Sequence, residues 1–385
     1  MKKDLSNQIL RFSLLVLSKI HLQIRENPKL LTKTLKLHNT PLNCKVSFMS
    51  SNTNSLEIQS YDDKEKMFYV KSPCGNIVKV QDTFAEMFPL WAGRVLITAQ
   101  NEKWAQIAAS ITTGFATSVI EATAEAAIER PVPADQTPDK RPGILIQIYN
   151  RDRFELKHQL MERIGQCTLT CPTTAAFNGL VGKRTLDVGN SLRYFGDGFQ
   201  KKAMVGGRKC WRIPVMEGSF IVENGFGAME AVAGGNFMIF AKDQSSGLLA
   251  AEAAADAIRA NAPDVIMQFP GGVCRAGSKA GSLKYKLKAS TNHPYCPTLR
   301  TLVPDTVVPE DVTCVYEIVM NGLTLDAVKK GIKEGVTAAI NVPGVAKISS
   351  GNYGGKLGPF KAFLREAIGA PMPEQAPAAP AKTKA

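Results

Sequence analysis

Apolar positions between residues 94 and 349 fall into two successive series of strand-like runs and helical stretches. The first opens with the β-branched run at 94–99, followed by a helical stretch at 103–113 and a β-prone run at 118–120. A strand at 143–149 comes next, announced by Pro138, Arg141 and Pro142. A helix at 154–164 follows, with Phe154, Leu160, Met161 and Ile164 spaced to share one face. The second series opens with a strand at 235–241 and an alanine-rich helix at 248–260, whose small side chains permit close helix-on-sheet contact. It continues with strands at 265–269 and 313–319, a helix at 325–339 and a strand at 345–349. The repeat lies in the pattern and not in identical residues.

The common order is β-α-β-β-α-β, the split βαβ arrangement in which helices cover one face of a largely antiparallel sheet. The expected fold is therefore α+β, with two ferredoxin-like sandwich lobes in tandem, at 76–221 and 222–370. The uncovered sheet faces need cover from each other or from partner subunits, so oligomerisation is expected. Residues 1–75 read as an appended, largely irregular segment, with Met49 or Met67 as a candidate true start. Its apolar stretch at 9–17 is interrupted by Arg11 and is shorter than the roughly 20 residues that span a bilayer, so no membrane role is expected. Residues 371–385 are rich in Ala, Pro and Lys and read as a flexible tail.

Charge changes this picture little. The chain carries 47 Lys+Arg and 34 Asp+Glu, a formal net charge of +13, but residues 76–370 hold 33 basic and 27 acidic residues. No run of five or more Lys/Arg occurs, which argues against nucleic acid and suits an anionic small molecule or simply a soluble surface. The eight cysteines are scattered, and only Cys167 and Cys171 lie close, without the second pair that a zinc site needs. Reduced thiols, a cytoplasmic location and no metal are expected.

Nucleophile-elbow, Walker, dinucleotide and zinc-protease motifs are all missing. Phe269-Pro-Gly-Gly272 opens a loop in which Gly271 and Gly272 permit close backbone approach to a ligand, and Arg275 and Lys279 add positive charge; a plain turn explains the same residues. Gly351-Asn-Tyr-Gly-Gly-Lys-Leu-Gly358 is a second glycine-dense stretch that does not match a phosphate loop. Asn292 and His293 stand in an irregular polar segment suited to a functional loop. Glu317 lies among Val315, Tyr316, Ile318 and Val319, where burial would favour its protonated form; alternation offers the competing place on a wet strand face, which from the residues alone is the commoner outcome.

Many blocks in one order resemble a known family. They run from Asp82-Thr-Phe-Ala-Glu-Met-Phe-Pro89 through Glu162-Arg-Ile-Gly-Gln-Cys-Thr-Leu-Thr-Cys-Pro-Thr-Thr174, Phe195-Gly-Asp-Gly198, Ala233-Gly-Gly-Asn-Phe237, Phe269-Pro-Gly-Gly272, Thr291-Asn-His293, Cys296-Pro-Thr-Leu299 and Val315-Tyr-Glu-Ile-Val319 to Gly351–Gly358. On these, residues 76–370 resemble the formylmethanofuran:tetrahydromethanopterin formyltransferases. The resemblance implies a homotetramer with a cleft site, no permanently bound cofactor, and formylmethanofuran and tetrahydromethanopterin as carrier substrates. It also implies a proton-handling role for Glu317, reversing the preference for a wet strand face. Gly271, Gly272, Ser278, Lys279, Asn292 and His293 become candidates for substrate binding. The competing class is a non-catalytic assembly subunit of a formyltransferase/hydrolase complex; a partner role within such a complex could also coexist with transfer.

Overall fold

Two long strands join the halves of the molecule. In the computed structural model, which describes residues 56–182, 184–276 and 279–371, β4 (Phe84–Thr98) and β12 (Phe226–Ala241) pair antiparallel, from Phe88 opposite Ala233 to Gly93 opposite Ala228. Each strand then continues into a lobe of its own. The β1–β3 strands that precede β4 are Glu57–Asp62, Met67–Lys71 and Ile77–Gln81.

In the first lobe the chain runs through α1 (Glu102–Thr112), β5 (Glu125–Val132), β6 (Gly143–Asn150), α2 (Arg153–Arg163) and β7 (Ala175–Asn178). The strands lie in the order β5-β6-β4-β7, all antiparallel. The helix-facing side buries Val95, Ile97, Ile144, Ile146 and Ile148 against Ala105, Ala108, Leu156 and Leu160. Asn101 and Asp152 cap the two helices by accepting backbone N–H bonds, which satisfies donors that a helix start leaves open.

An excursion follows, through β8 (Arg184–Leu186), α3 (Val188–Leu192), β9 (Lys201–Val205), β10 (Arg208–Val215) and β11 (Gly218–Glu223). It widens the first sheet, because β11 pairs with β7.

The second lobe repeats the order with β12, α4 (Gln244–Asn261), β13 (Val265–Ile266), β16 (Cys314–Gly322), α5 (Leu325–Ile340) and β17 (Val345–Ser349). Between β13 and β16 stands a two-stranded ribbon, β14 (Lys279–Ala280) with β15 (Ala289–Ser290). The sheet order is β13-β16-β12-β17, again antiparallel. Phe237, Ile239, Ile318, Met320 and Ile348 pack on Ala250, Ala251, Ala254, Ile332 and Val336. Small residues set that distance: a Cβ on Gly335 would come within 2.7 Å of the Phe237 ring. Fully burying such a Phe or Ile stabilises the lobe by about 1.5–3 kcal/mol. Strand β18 (Phe360–Phe363) finally pairs with the start of β4, and the short α6 (Leu364–Ala367) ends the fold.

The two expected ferredoxin-like lobes are thus present, with three corrections. The segment up to residue 75 is not irregular where it is described: β1, β2 and β3 form an antiparallel meander whose β3 adds parallel to β17. Phe68, Val70, Val78 and Val80 enter the second lobe's core, which explains the order. Second, the run at 118–120 is not the strand; β5 lies at Glu125–Val132. Third, the strand expected at 265–269 pairs only at Val265 and Ile266. Expectations for residues 1–55 and 372–385 lie outside the described residues.

Polar groups tie the lobes together. Arg94 donates to Glu129 at 2.7 Å in its own lobe and to Asp264 at 2.9 Å in the other. Glu125 accepts from Asn321 at 2.7 Å and from the Val119 N–H at 3.1 Å. No helix among the described residues is long and apolar enough to cross a membrane.

Candidate functional site

Alternation along β16 divides its side chains between two faces. Ile318 and Met320 point to the helices, so Glu317, Val319 and Asn321 point to the opposite face. That face is roofed by residues 267–313, the excursion between β13 and β16. The excursion returns to the sheet at Cys274, whose backbone exchanges two 2.8 Å hydrogen bonds with Glu317.

A recess opens there. Glu317 lies in its lining with Met238, Arg275, Asn292, Tyr295, Cys296 and Tyr316. Glu317 is 7% exposed, and its Oε2 has no hydrogen-bond partner among the described residues. Loss of hydration disfavours the carboxylate and pushes its pKa up from 4.5 to about 7. The Tyr295 ring packs tilted against Phe240, with centroids 6.1 Å apart, and burial, then the charges of Glu317 and Tyr353, raise its phenol pKa. A carboxyl poised near neutrality beside a phenol can take and return a proton at working pH.

Local chemistry holds the roof in place. The Asn292 carbonyl accepts from the Tyr295 N–H at 2.9 Å and from the Cys296 thiol at 3.4 Å, and the Asn292 N–H reaches the Ala276 carbonyl at 3.5 Å. Lys279 Nζ contacts His293 Nδ1 at 3.2 Å, while His293 Nε2 faces Asp305 at 3.8 Å.

Of the residues expected at a site, Asn292 shares the recess with Glu317. Lys279 and His293 pair with each other in the roof and are not part of the lining. Gly271 and Gly272 sit apart from it in a turn over α4: the Gly272 N–H is taken by the Phe269 carbonyl at 2.8 Å, and Arg259 donates to the Gly271 carbonyl at 2.6 Å. The plain-turn explanation fits their geometry. Ser278 lies outside the described residues. Tyr295 was not singled out in the sequence, although the irregular segment carrying Asn292 and His293 contains it.

The other glycine-dense loop, 351–358, is filled from within. Glu86 is 1% exposed, and its Oε2 accepts from the N–H groups of Tyr353 at 2.7 Å and Gly355 at 3.1 Å. Its Oε1 accepts from Gly358 at 3.1 Å and also from Leu357. Burial pushes this carboxyl up, but the four N–H donors outweigh it and leave the pKa below the usual value.

Comparison with known proteins agrees across almost all of this fold. The sequence model of the formylmethanofuran-tetrahydromethanopterin formyltransferases matches residues 74–215, and the model of that family's proximal lobe matches residues 218–367. The formyltransferase of that name from Methanocaldococcus jannaschii is 53% identical over 296 residues, 76% of this chain and 98% of that protein. The one from Archaeoglobus fulgidus is 52% identical over 293 residues, again 76% and 98%. Among solved structures, the Methanosarcina barkeri formyltransferase matches at 49% identity and a TM-score of 0.73, covering 75% of this chain and 98% of that one. A chain of the formyltransferase/hydrolase complex from Methylorubrum extorquens, in complex with methylofuran, matches at 41% identity and a TM-score of 0.73, covering 76% and 98%.

Proposed function

Because the chain belongs to the formylmethanofuran-tetrahydromethanopterin formyltransferase family, we propose that it moves a formyl group between the amine of methanofuran and N5 of tetrahydromethanopterin, with Glu317 carrying the proton. The observation that carries the assignment is a buried carboxyl, pushed up to about 7 and with one oxygen unpartnered among the described residues, in the lining of a recess.

The chemistry sets the demands. The pterin nitrogen attacks the formyl carbon, a C–N bond forms, and the carbonyl electron pair moves to oxygen. The attacking nitrogen then loses its proton to the Glu317 carboxylate. Collapse of the tetrahedral species breaks the other C–N bond, and the Glu317 carboxyl returns the proton to the leaving amine. The Tyr295 phenol and the Asn292 amide belong to the same lining and suit the oxyanion as donors. An amide is exchanged for an amide, so alignment of the two carriers and proton transfer are the main contributions of the protein.

Charge supports anionic carriers. The roof, residues 267–313, carries six basic residues, Arg275, Lys279, Lys284, Lys286, Lys288 and Arg300, against three acidic ones, Asp305, Glu310 and Asp311, and its stretch up to residue 304 holds no carboxylate. The test is a spectrophotometric transfer assay with both carriers. Glu317→Gln should fold and lose about 10²–10⁴-fold in kcat; turnover at the wild-type rate would remove Glu317 from the mechanism. Exposed Phe195, Phe199, Met204 and Met216 on the first lobe's excursion suit contact with further subunits, in a homotetramer or a formyltransferase/hydrolase assembly. Native mass spectrometry distinguishes these from a monomer.

A further inference from the structure

We propose that Glu86 is a positioning residue for formyl transfer, an internal anion that shapes the loop at 351–358 beside the Glu317 recess. The proposal rests on the recess being the transfer site.

Its geometry is that of an anion site with the anion built in. Four backbone N–H groups, from Tyr353, Gly355, Leu357 and Gly358, converge on one buried carboxylate. Successive N–H groups turned to one point are how loops hold phosphates, and here a strand residue fills the place. The glycines are required for it. Gly354 and Gly355 have φ of +69° and +80°, and a Cβ on Gly358 would lie 2.2 Å from the Met87 carbonyl oxygen. The flanks are fixed as firmly: Gly351 N–H donates to Asn236 at 2.6 Å, and Asn352 donates to Thr83 at 2.9 Å.

The loop reaches the site through Gly351: a Cβ there would lie 3.3 Å from the Met238 terminal methyl, and Met238 lines the recess. Asn236, which holds the loop's first residue, is two positions along β12 from Met238, and Met238 is the register partner of Glu317. Glu86 therefore fixes one flank of the site without touching the reacting atoms. It needs to be charged: a neutral amide would offer one acceptor in place of two and would turn its own N–H groups against the loop's.

The experiment compares Glu86→Gln and Glu86→Ala with the unaltered enzyme. Glu86→Gln should lose about 10²-fold in kcat with KM changed much less, the scale that a misplacement of about 1 Å produces. Added acetate should restore much of the kcat of Glu86→Ala, and acetamide, equal in size but neutral, should not. A Glu86→Gln enzyme with wild-type kcat, or equal rescue by acetamide, overturns the proposal. Hydrogen exchange on the unaltered protein adds a readout that needs neither variant folding nor turnover. The amides of Tyr353, Gly355, Leu357 and Gly358 should be protected as a group at neutral pH, and exchange at unprotected rates would refute the internal anion even if Glu317 proves catalytic.

Discussion

Strands β6 and β16 hold the same place in the two lobes, yet they treat their buried polar side chains in opposite ways. On β6, Gln147 is fully buried and satisfied at both ends: its amide donates to Glu129 at 2.7 Å, and its oxygen accepts from Tyr149. On β16, Glu317 is nearly as buried and has an oxygen without a partner among the described residues. Each faces away from its lobe's helices, and each pairs with a long strand, Gln147 with Arg94 and Glu317 with Met238. What differs is the connection. Residues 133–142 join β5 to β6, whereas residues 267–313 join β13 to β16 and build a roofed recess. One frame thus gives a lobe whose buried polar strand residue is closed in and a lobe whose equivalent residue lines a recess. A satisfied buried group stabilises; an unsatisfied titratable one costs stability and is available for chemistry.

The largest effect that sharpens this contrast is on turnover. Glu317→Gln should abolish most transfer, while Gln147→Leu should leave kcat per folded enzyme within about twofold, because Gln147 is a satisfied group outside the lining of the recess and its removal alters stability and not chemistry. Stopped turnover in Gln147→Leu would break the division of labour between the lobes.

The next effect is on stability against pH. Glu317 has a carboxyl pKa raised from 4.5 to about 7 by burial. Between those values the folded state holds a proton that the unfolded state has released, so this group lowers stability as pH rises through that window. The cost is complete above about pH 7 and absent below about pH 4, and the shift corresponds to about 3 kcal/mol. Glu317→Gln should therefore be more stable than the unaltered chain at pH 8, with the advantage vanishing by pH 4, as urea unfolding would measure. Gln147→Leu should show the reverse, a loss of about 1–3 kcal/mol, from leaving the Tyr149 hydroxyl without its acceptor and taking one donor from Glu129, which keeps Arg94.

The smallest effect concerns the roof. Replacing Lys284, Lys286 and Lys288 together by Gln should raise carrier KM by at most about tenfold at low salt, since exposed charges contribute only tenths of a kcal/mol each. The difference should fade near 1 M salt, where screening is nearly complete. An unchanged KM in dilute buffer would remove the lysines from carrier capture.

The contrast between the lobes was only half visible in the sequence. Apolar-rich runs, each broken by one polar residue, announced β6 and β17, and the alanine spacing announced α4. Strand β5 hid because Glu125, Glu129, Arg130 and Pro131 read as loop, whereas Glu125 and Glu129 are buried in the polar junctions. The β2–β3 hairpin offered only two inward residues per strand, Phe68 and Val70, then Val78 and Val80, too short a period to stand out from polar surroundings. Glu317 was visible as a carboxylate in an apolar strand. Its burial was not, because the cover comes from 267–313, which has no period of its own. Glu86 was hidden more deeply: the N–H groups that define it lie some 270 positions further along the chain.

The titration of Glu317 itself is the most direct test. With 13C at the δ-carbons of glutamate, difference spectra between the unaltered protein and Glu317→Gln isolate its carboxyl resonance. A midpoint near pH 7 is the expected result, and one in the ordinary range near 4.5 would contradict the account.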